Sequence, residues 1–385
     1  LPRRELMTSL KLTEDSSKRY AAFLKSQEFN EGLPDSKSSY WQHHASLVSA
    51  DLKKATVLVR GCSGIYITPS LRPGASIKFV FTRNGLLGRL QRVPRAILVA
   101  IGRRLLRWFP IHIGGPVFLS YPQAFDAVMQ NKEIAGAIRS PYRIDHSALA
   151  LVDGVFSDTH SLSEHYRGWV GLSPSWNIII QYYLYNILRG NAEPEKLSTI
   201  LEIGGGNGNF ASLCLHDLPY TRVILVDLPE MLSVSIPFLA NLFPTARLGL
   251  PNEFRENGWN DDFDIAFLTP GQISLIPDDT VDVSVNISSF QEMTHPQIAA
   301  YFRLIQRVTH NSGLFLCMNR VEKIPAGPDS QNTVYDDPPN RFADYPWVST
   351  NELLVYEVCR LIRLVQLDDV MIRLERVCKS VIDPD

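Results

Sequence analysis

Hydrophobic and polar positions change rhythm near Leu197. Beyond it, short apolar runs of strand length occur at 197–203, 222–227, 263–269, 281–287 and 313–321. Between several of them, at 208–217, 229–241 and 296–310, apolar residues recur every three or four positions, the period of an amphipathic helix. Strands joined by helices predict a parallel sheet with crossover helices. A Pro- and Asp-rich loop comes next, over 322–348. The spacing Ser349-Thr350-Asn351-Glu352 then predicts a capped helix. The runs LIRLVQ and VMIRLERV, joined by LDD, predict an antiparallel end to the sheet.

Upstream the pattern is mixed and largely helical. KRYAAFLKSQEF and SYWQHHASLVSADLKK read as helices, and ATVLVRG, GIYITPS and SIKFVFT as short strands. VPRAILVAIGRRLLRWF (93–109) reads as a helix with Pro94 in its first turn. QAFDAVMQNKEIAGAI and NIIIQYYLYNILRGN read as two more. The chain is therefore divided into an N-terminal region, 1–150, serving the substrate or oligomerisation, and an α/β domain, 151–385.

Composition adds three constraints. A hydrophobic fraction of 45% with 20% charged residues is that of a globular protein. The five cysteines (62, 214, 317, 359 and 378) are widely spaced, without a C-x-x-C pair, which points to reduced thiols and against zinc. The first twelve residues carry charge and lack a signal-peptide core, so a cytoplasmic location is expected. The run AILVAIG is too short to span a bilayer. The net charge of −2 conceals a polarity: between Leu52 and Phe125 there are twelve basic residues and no acidic one. Such a stretch suits a phosphorylated substrate or an anionic membrane surface met through 94–109. It equally suits the acidic remainder of the chain or a second copy in a homodimer. Nucleic acid is expected only if the protein is a non-catalytic partner.

The chemistry centres on LEIGGGNGNF, 201–210. A strand passing through clustered glycines into a helix presents free N–H groups where a polar ligand can approach closely. Glu202 precedes Gly204, Gly205, Gly206 and Gly208, and the next strand ends in Asp227, a carboxylate placed to take ribose hydroxyls. Nicotinamide, flavin and S-adenosylmethionine sites share this turn. A G-x-G-x-x-A form running from Gly206 to Ala211 keeps a nicotinamide-dependent oxidoreductase open. Three features favour S-adenosylmethionine. Glu202 would repel a pyrophosphate, a single glycine turn comes after some 200 residues, and the strands from 197 onward make one complete sheet.

With LEIGGGNGNF, VILVDLPEML, FLTPGQISLIP, VDVSVNISSFQEM and LFLCMNRVEK in this order, the region 160–322 resembles a class I S-adenosylmethionine-dependent methyltransferase. The DLPE, FLTP and NISSFQEM segments resemble a family of sugar O-methyltransferases more narrowly. The resemblance implies a Rossmann-like seven-stranded sheet and S-adenosyl-L-methionine as cofactor. It implies Glu202, Gly204, Gly205, Gly206 and Gly208 at the methionine end, Asp227 on the ribose and Leu228 on the adenine. Thr269, Pro270 and Gln272 would border the adenine, and Asn286, Ser288 and Ser289 would close the site beneath the sulfonium. Asn207, standing where the family carries a bulkier residue, is one departure, and Ser288 and Ser289, which leave the floor polar, are another. The resemblance also implies a small-molecule or glycan acceptor of O-methylation, on a nucleotide-linked or glycan sugar. An O- or N-methyltransferase of a small natural product is the alternative.

Transfer to a hydroxyl calls for a general base. Glu292 and His295, after the fourth strand of this sheet, are the candidates; a carboxylate bonded to nearby N–H groups and a helix-start residue are their plainer readings. Asn319 and Arg320 can hold sugar hydroxyls or phosphate, or Arg320 can pair with Glu322. Tyr345 and Trp347 on the long loop can stack on a sugar, and His165 and Tyr166 can reach the site. No metal is expected: Asp336-Asp337 and Asp368-Asp369 read as solvated turns.

Overall fold

The computed structural model describes residues 6–10, 12–30, 48–51, 56–60, 75–80, 176–193, 196–218, 220–323, 339–359 and 369–379. The expected strand GIYITPS, the helices at 93–109 and 123–138, and LIRLVQ lie outside them.

Among the described residues, a four-stranded and an eight-stranded sheet form around separate stretches of chain, beside a two-stranded pair. Four short strands, β1 (Leu6–Leu10), β2 (Val48–Asp51), β3 (Thr56–Arg60) and β4 (Ala75–Val80), pair in the order β1-β4-β3-β2. Only the β3–β4 pair is parallel. β2 falls inside SYWQHHASLVSADLKK, so the helix expected there gives way to strand pairing with β3 at 48–51. Between β1 and β2 stand α1 (Glu14–Lys25) and the one-turn α2 (Gln27–Asn30). Thr13 caps α1 by accepting the Ser16 N–H at 3.1 Å, with Glu14 and Asp15 in its first turn and Lys25 in its last.

The large sheet is built from β5 (Thr199–Ile203), β6 (Arg222–Val226), β7 (Leu248–Gly249), β8 (Ile265–Leu268), β9 (Val281–Ile287), β10 (Thr309–Arg320), β13 (Glu352–Val358) and β14 (Val370–Arg376). Their order is β13-β14-β10-β9-β5-β6-β8-β7. All neighbours are parallel except at β14, which runs against both β10 and β13. The fold class is thus α/β, with eight strands rather than seven because the two-residue β7 extends one edge. Helices α3 (Trp176–Asn191), α4 (Asn209–Asp217), α5 (Pro229–Leu242), α6 (Pro251–Asn257) and α7 (His295–Val308) accompany the sheet. β7 and α6 have no counterpart among the elements expected from sequence.

Because helices cover both faces, the central strands are apolar without alternation: every residue of β5 and β8 is buried. One core joins α3, α4 and α5 to the sheet through Leu184, Leu188, Phe210, Leu232 and Leu239. The other joins α7 through Phe290, Ile298, Phe302 and Ile305. α1 docks on the first layer. Its Tyr20 hydroxyl donates to the Ser233 carbonyl at 2.6 Å, and Arg19 reaches both oxygens of Glu253 at 2.7 Å.

The C-terminal region corrects one expectation. Residues 352–358 form a strand, not a capped helix. ELLVYEV is rich in β-favouring side chains and pairs along β14. The residues that resembled a cap hold the β14 end instead. Asn351 donates to Glu375 at 3.0 Å and accepts the Cys378 N–H, and Thr350 donates to the Cys378 carbonyl. The antiparallel end is present, made by β13 and β14. Within the long loop, β11 (Glu322–Lys323) pairs with β12 (Asn340–Arg341).

Candidate functional site

The strand order reverses at β5. From there the chain builds outward through β6 and β8, then returns to add β9 and β10 on the other side. Ligands of open α/β sheets sit at the carboxyl ends of the strands beside such a switch. The glycine turn occupies that place. Gly204 ends β5 at φ +71°, donating its N–H to Val226 O at 2.8 Å. A Cβ on Gly204 would overlap the Ser289 side chain, so the turn and the loop after β9 touch only because this position has none. Gly208, at φ +84°, opens α4.

Asp227 follows β6 and is held from two sides. Its Oδ2 accepts the Gly206 N–H and its Oδ1 the Leu228 N–H, both at 2.7 Å. Burial nevertheless outweighs these donors and pushes its carboxyl up to about 7. Glu202 lies behind the turn rather than in front of it. It is buried, its Oε2 accepts the Ala211 N–H at 3.2 Å, and burial raises it to about 8. Gly205 packs directly over it: a Cβ there would come within 2.9 Å of Glu202 Cδ.

A cleft with about 700 Å³ of empty space opens between these elements. Of the residues expected from sequence, Gly204, Asp227, Leu228, Pro270 and Ser289 line it. Val226, Ile273, Met293, Gln297, Ala300 and Tyr301 line it as well and were missed. The last three share one stripe of α7, at the spacing of adjacent helical turns. The helical period of 296–310 was the available signal.

Other expected residues are committed elsewhere. Thr269 and Gln272 bond each other, with the Thr269 N–H donating to Gln272 Oε1 at 3.0 Å and Gln272 Nε2 to Pro251 O at 2.7 Å. Asn286 is fully buried. It donates to Ile203 O at 2.9 Å and accepts from the Phe290 N–H and from Asn319 Nδ2. Asn319 accepts the Gln291 N–H in turn, so both asparagine side chains are engaged within the protein. Ser288, at φ +57°, donates its N–H to Met318 O at 2.7 Å and is not a wall of the cleft. Arg320 donates its backbone N–H to Gln291, while Glu322 pairs with Arg341.

Tyr345 is buried in the aromatic core, and Trp347 packs half-buried against it. Trp347 packs on Phe342 and Phe302 at centroid distances of 5.0 and 5.1 Å, under the guanidinium of Arg373 at 4.3 Å. Tyr345 is buried among the same rings. His295 is exposed in the first turn of α7, after the Thr294 cap, and does not line the cleft. Glu292 pairs with Lys323 at 2.9 Å, the two side chains 15% and 10% exposed. Burial lowers the Lys323 ammonium despite this partner. His165 and Tyr166 lie outside the described residues. Among the described residues no group of three or more His, Cys, Asp or Glu is arranged to hold a metal, and no described helix is long and apolar enough to cross a membrane.

No family model matches the chain, and no curated protein matches it. Solved structures do. The N-methyltransferase NodS from Bradyrhizobium japonicum is 12% identical, with a TM-score of 0.33 over 53% of this chain and 97% of that one. The [4+2]-cyclase SpnF is 15% identical, with a TM-score of 0.33 over 51% and 81%. A structure concerned with converting a disulfide bond into a thioacetal group during echinomycin biosynthesis is 16% identical, with a TM-score of 0.35 over 58% and 94%. At such identities and with such partial superposition, nothing about activity passes from these proteins to this chain.

Proposed function

We propose that the protein is an S-adenosylmethionine-dependent O-methyltransferase acting on a sugar hydroxyl. One observation carries the cofactor: a cleft at the strand-order reversal whose walls combine the side-chain-free Gly204, the Asp227 carboxylate and the apolar Leu228, Pro270 and Ile273. These fit a nucleoside. Asp227 keeps oxygen lone pairs beyond its two N–H bonds for ribose hydroxyls, and the apolar walls suit a purine face. Gly204 and Ser289 stand beside the turn, where the amino-acid end would lie.

When bound, the cofactor supplies a methyl group already activated by a sulfonium. The protein's own work is to align the acceptor oxygen, exclude water and remove one proton. Glu292 suits the last step better than His295. Neither residue lines the cleft, but Glu292 stands next to the cleft-lining Met293 and pairs with Lys323 away from bulk solvent, whereas His295 is exposed. The sugar acceptor rests on the resemblance of the DLPE, FLTP and NISSFQEM segments. Incubation with methyl-labelled cofactor and a panel of nucleotide sugars, glycans and phenols tests it. Label in sugars supports the reading; label confined to phenols replaces it with a natural-product methyltransferase.

A further inference from the structure

One polar group of the cleft has no assigned task. Tyr301 lies on α7, across from the β6 end that carries Asp227. Its side chain is rigidly placed: it is 6% exposed, and its ring packs on Phe290 at a centroid distance of 6.0 Å. No described residue hydrogen-bonds its hydroxyl. Tyr301 itself is one of the residues lining the cleft. A phenol with no protein partner leaves both its donor and its acceptor capacity to whatever occupies the cleft. The walls around it, Ile273 and Ala300 among them, are apolar, so a ligand atom there meets little water.

We propose that Tyr301 is a cofactor-binding residue whose hydroxyl hydrogen-bonds the nucleoside part of the ligand, facing Asp227 across the cleft. This rests on the cofactor being S-adenosylmethionine and adds a residue to its site. The geometry separates the two polar walls. Asp227 sits beside the glycine turn and is tied to it through Gly206, while Tyr301 belongs to a different element, α7. A nucleoside bridging them is gripped at two ends, with its apolar face between. Burial and the nearby Asp227 charge both raise the phenol above its ordinary value, so it stays protonated and serves as a neutral donor or acceptor.

The test is calorimetric titration of the full chain and of Tyr301→Phe with two ligands, S-adenosylhomocysteine and methylthioadenosine. The second keeps the nucleoside and lacks the amino acid. The substitution preserves the ring on Phe290, and equal melting temperatures without ligand verify the fold. The expected result is a dissociation constant raised about five-fold for both ligands alike, the size of one neutral hydrogen bond. The KM for S-adenosylmethionine should rise in step while kcat stays unchanged. Unchanged affinity for both ligands, or a loss seen with S-adenosylhomocysteine alone, overturns the assignment while leaving the cofactor reading intact. Failure of the unsubstituted protein to bind either ligand overturns the cofactor reading itself, and the assignment with it.

Discussion

Gly204 answers two demands at one position. Its backbone is left-handed, and the Ser289 side chain occupies the space a Cβ would fill. Left-handed backbone alone costs an alanine about 1–2 kcal/mol, and the overlap adds to that. Gly204→Ala should therefore lower the melting temperature and abolish S-adenosylhomocysteine binding. Adding Ser289→Gly should restore only the part due to overlap, which differential scanning calorimetry of the single and double variants resolves. Tyr345 offers the opposite case. Its buried hydroxyl has no hydrogen-bond partner among the described residues, so Tyr345→Phe should leave activity unchanged and raise stability by about 1 kcal/mol in denaturant titration. A fall in acceptor affinity would return Tyr345 to the substrate site. Glu202 and Asp227 predict a pH dependence. Burial raises both above their ordinary values of 4.5 and 3.8, to about 8 and about 7. An acid raised this way binds its proton more tightly folded than unfolded, so its contribution is full below the ordinary value and is lost as pH rises through the folded one. Glu202→Gln should thus gain melting temperature over the parent at about pH 9 and not at about pH 4. Equal gains at both would contradict a buried, proton-holding Glu202.

The segment from the end of β9 into the first turn of α7 holds both candidates for the base, and its fold distinguishes them. A one-turn 3-10 helix, Phe290–Glu292, turns Glu292 to Lys323, while the start of α7 leaves His295 in solvent. With a suitable acceptor, Glu292→Gln should lower kcat by about 100-fold with cofactor affinity retained, and His295→Ala should change kcat little. The reverse ranking in initial-rate assays would restore His295. The ends of β9 and β10 show what local reading of the asparagines does not reach. Asn286 and Asn319 are the kind of residue that binds ligands, but they are 33 positions apart and bond each other to lock β9, β10 and the loop together. No local pattern carries such a pairing. β13 is the same case among elements: a local helix-start signal lost to antiparallel pairing with β14.

At the scale of the whole molecule, the large sheet was legible because its strands are buried on both faces and so read as continuous apolar runs. The glycine turn and Asp227 were legible because their chemistry is local to a strand end. The far wall of the cleft was not. Tyr301 has the periodicity of a core residue, and it lines the cleft because the chain opposite α7 makes only a short 3-10 helix, Pro270–Leu275. β7 and α6 were missed because two- and seven-residue elements offer too little pattern. The central claim is that the cleft beside Gly204 and Asp227 holds S-adenosylmethionine. Isothermal titration of S-adenosylhomocysteine and of NADH into the parent chain and Asp227→Ala tests it most directly. The account predicts saturable binding of S-adenosylhomocysteine alone, weakened roughly ten-fold or more in Asp227→Ala by loss of the carboxyl that holds the ribose. Binding of NADH without S-adenosylhomocysteine, or S-adenosylhomocysteine binding indifferent to Asp227, would contradict it.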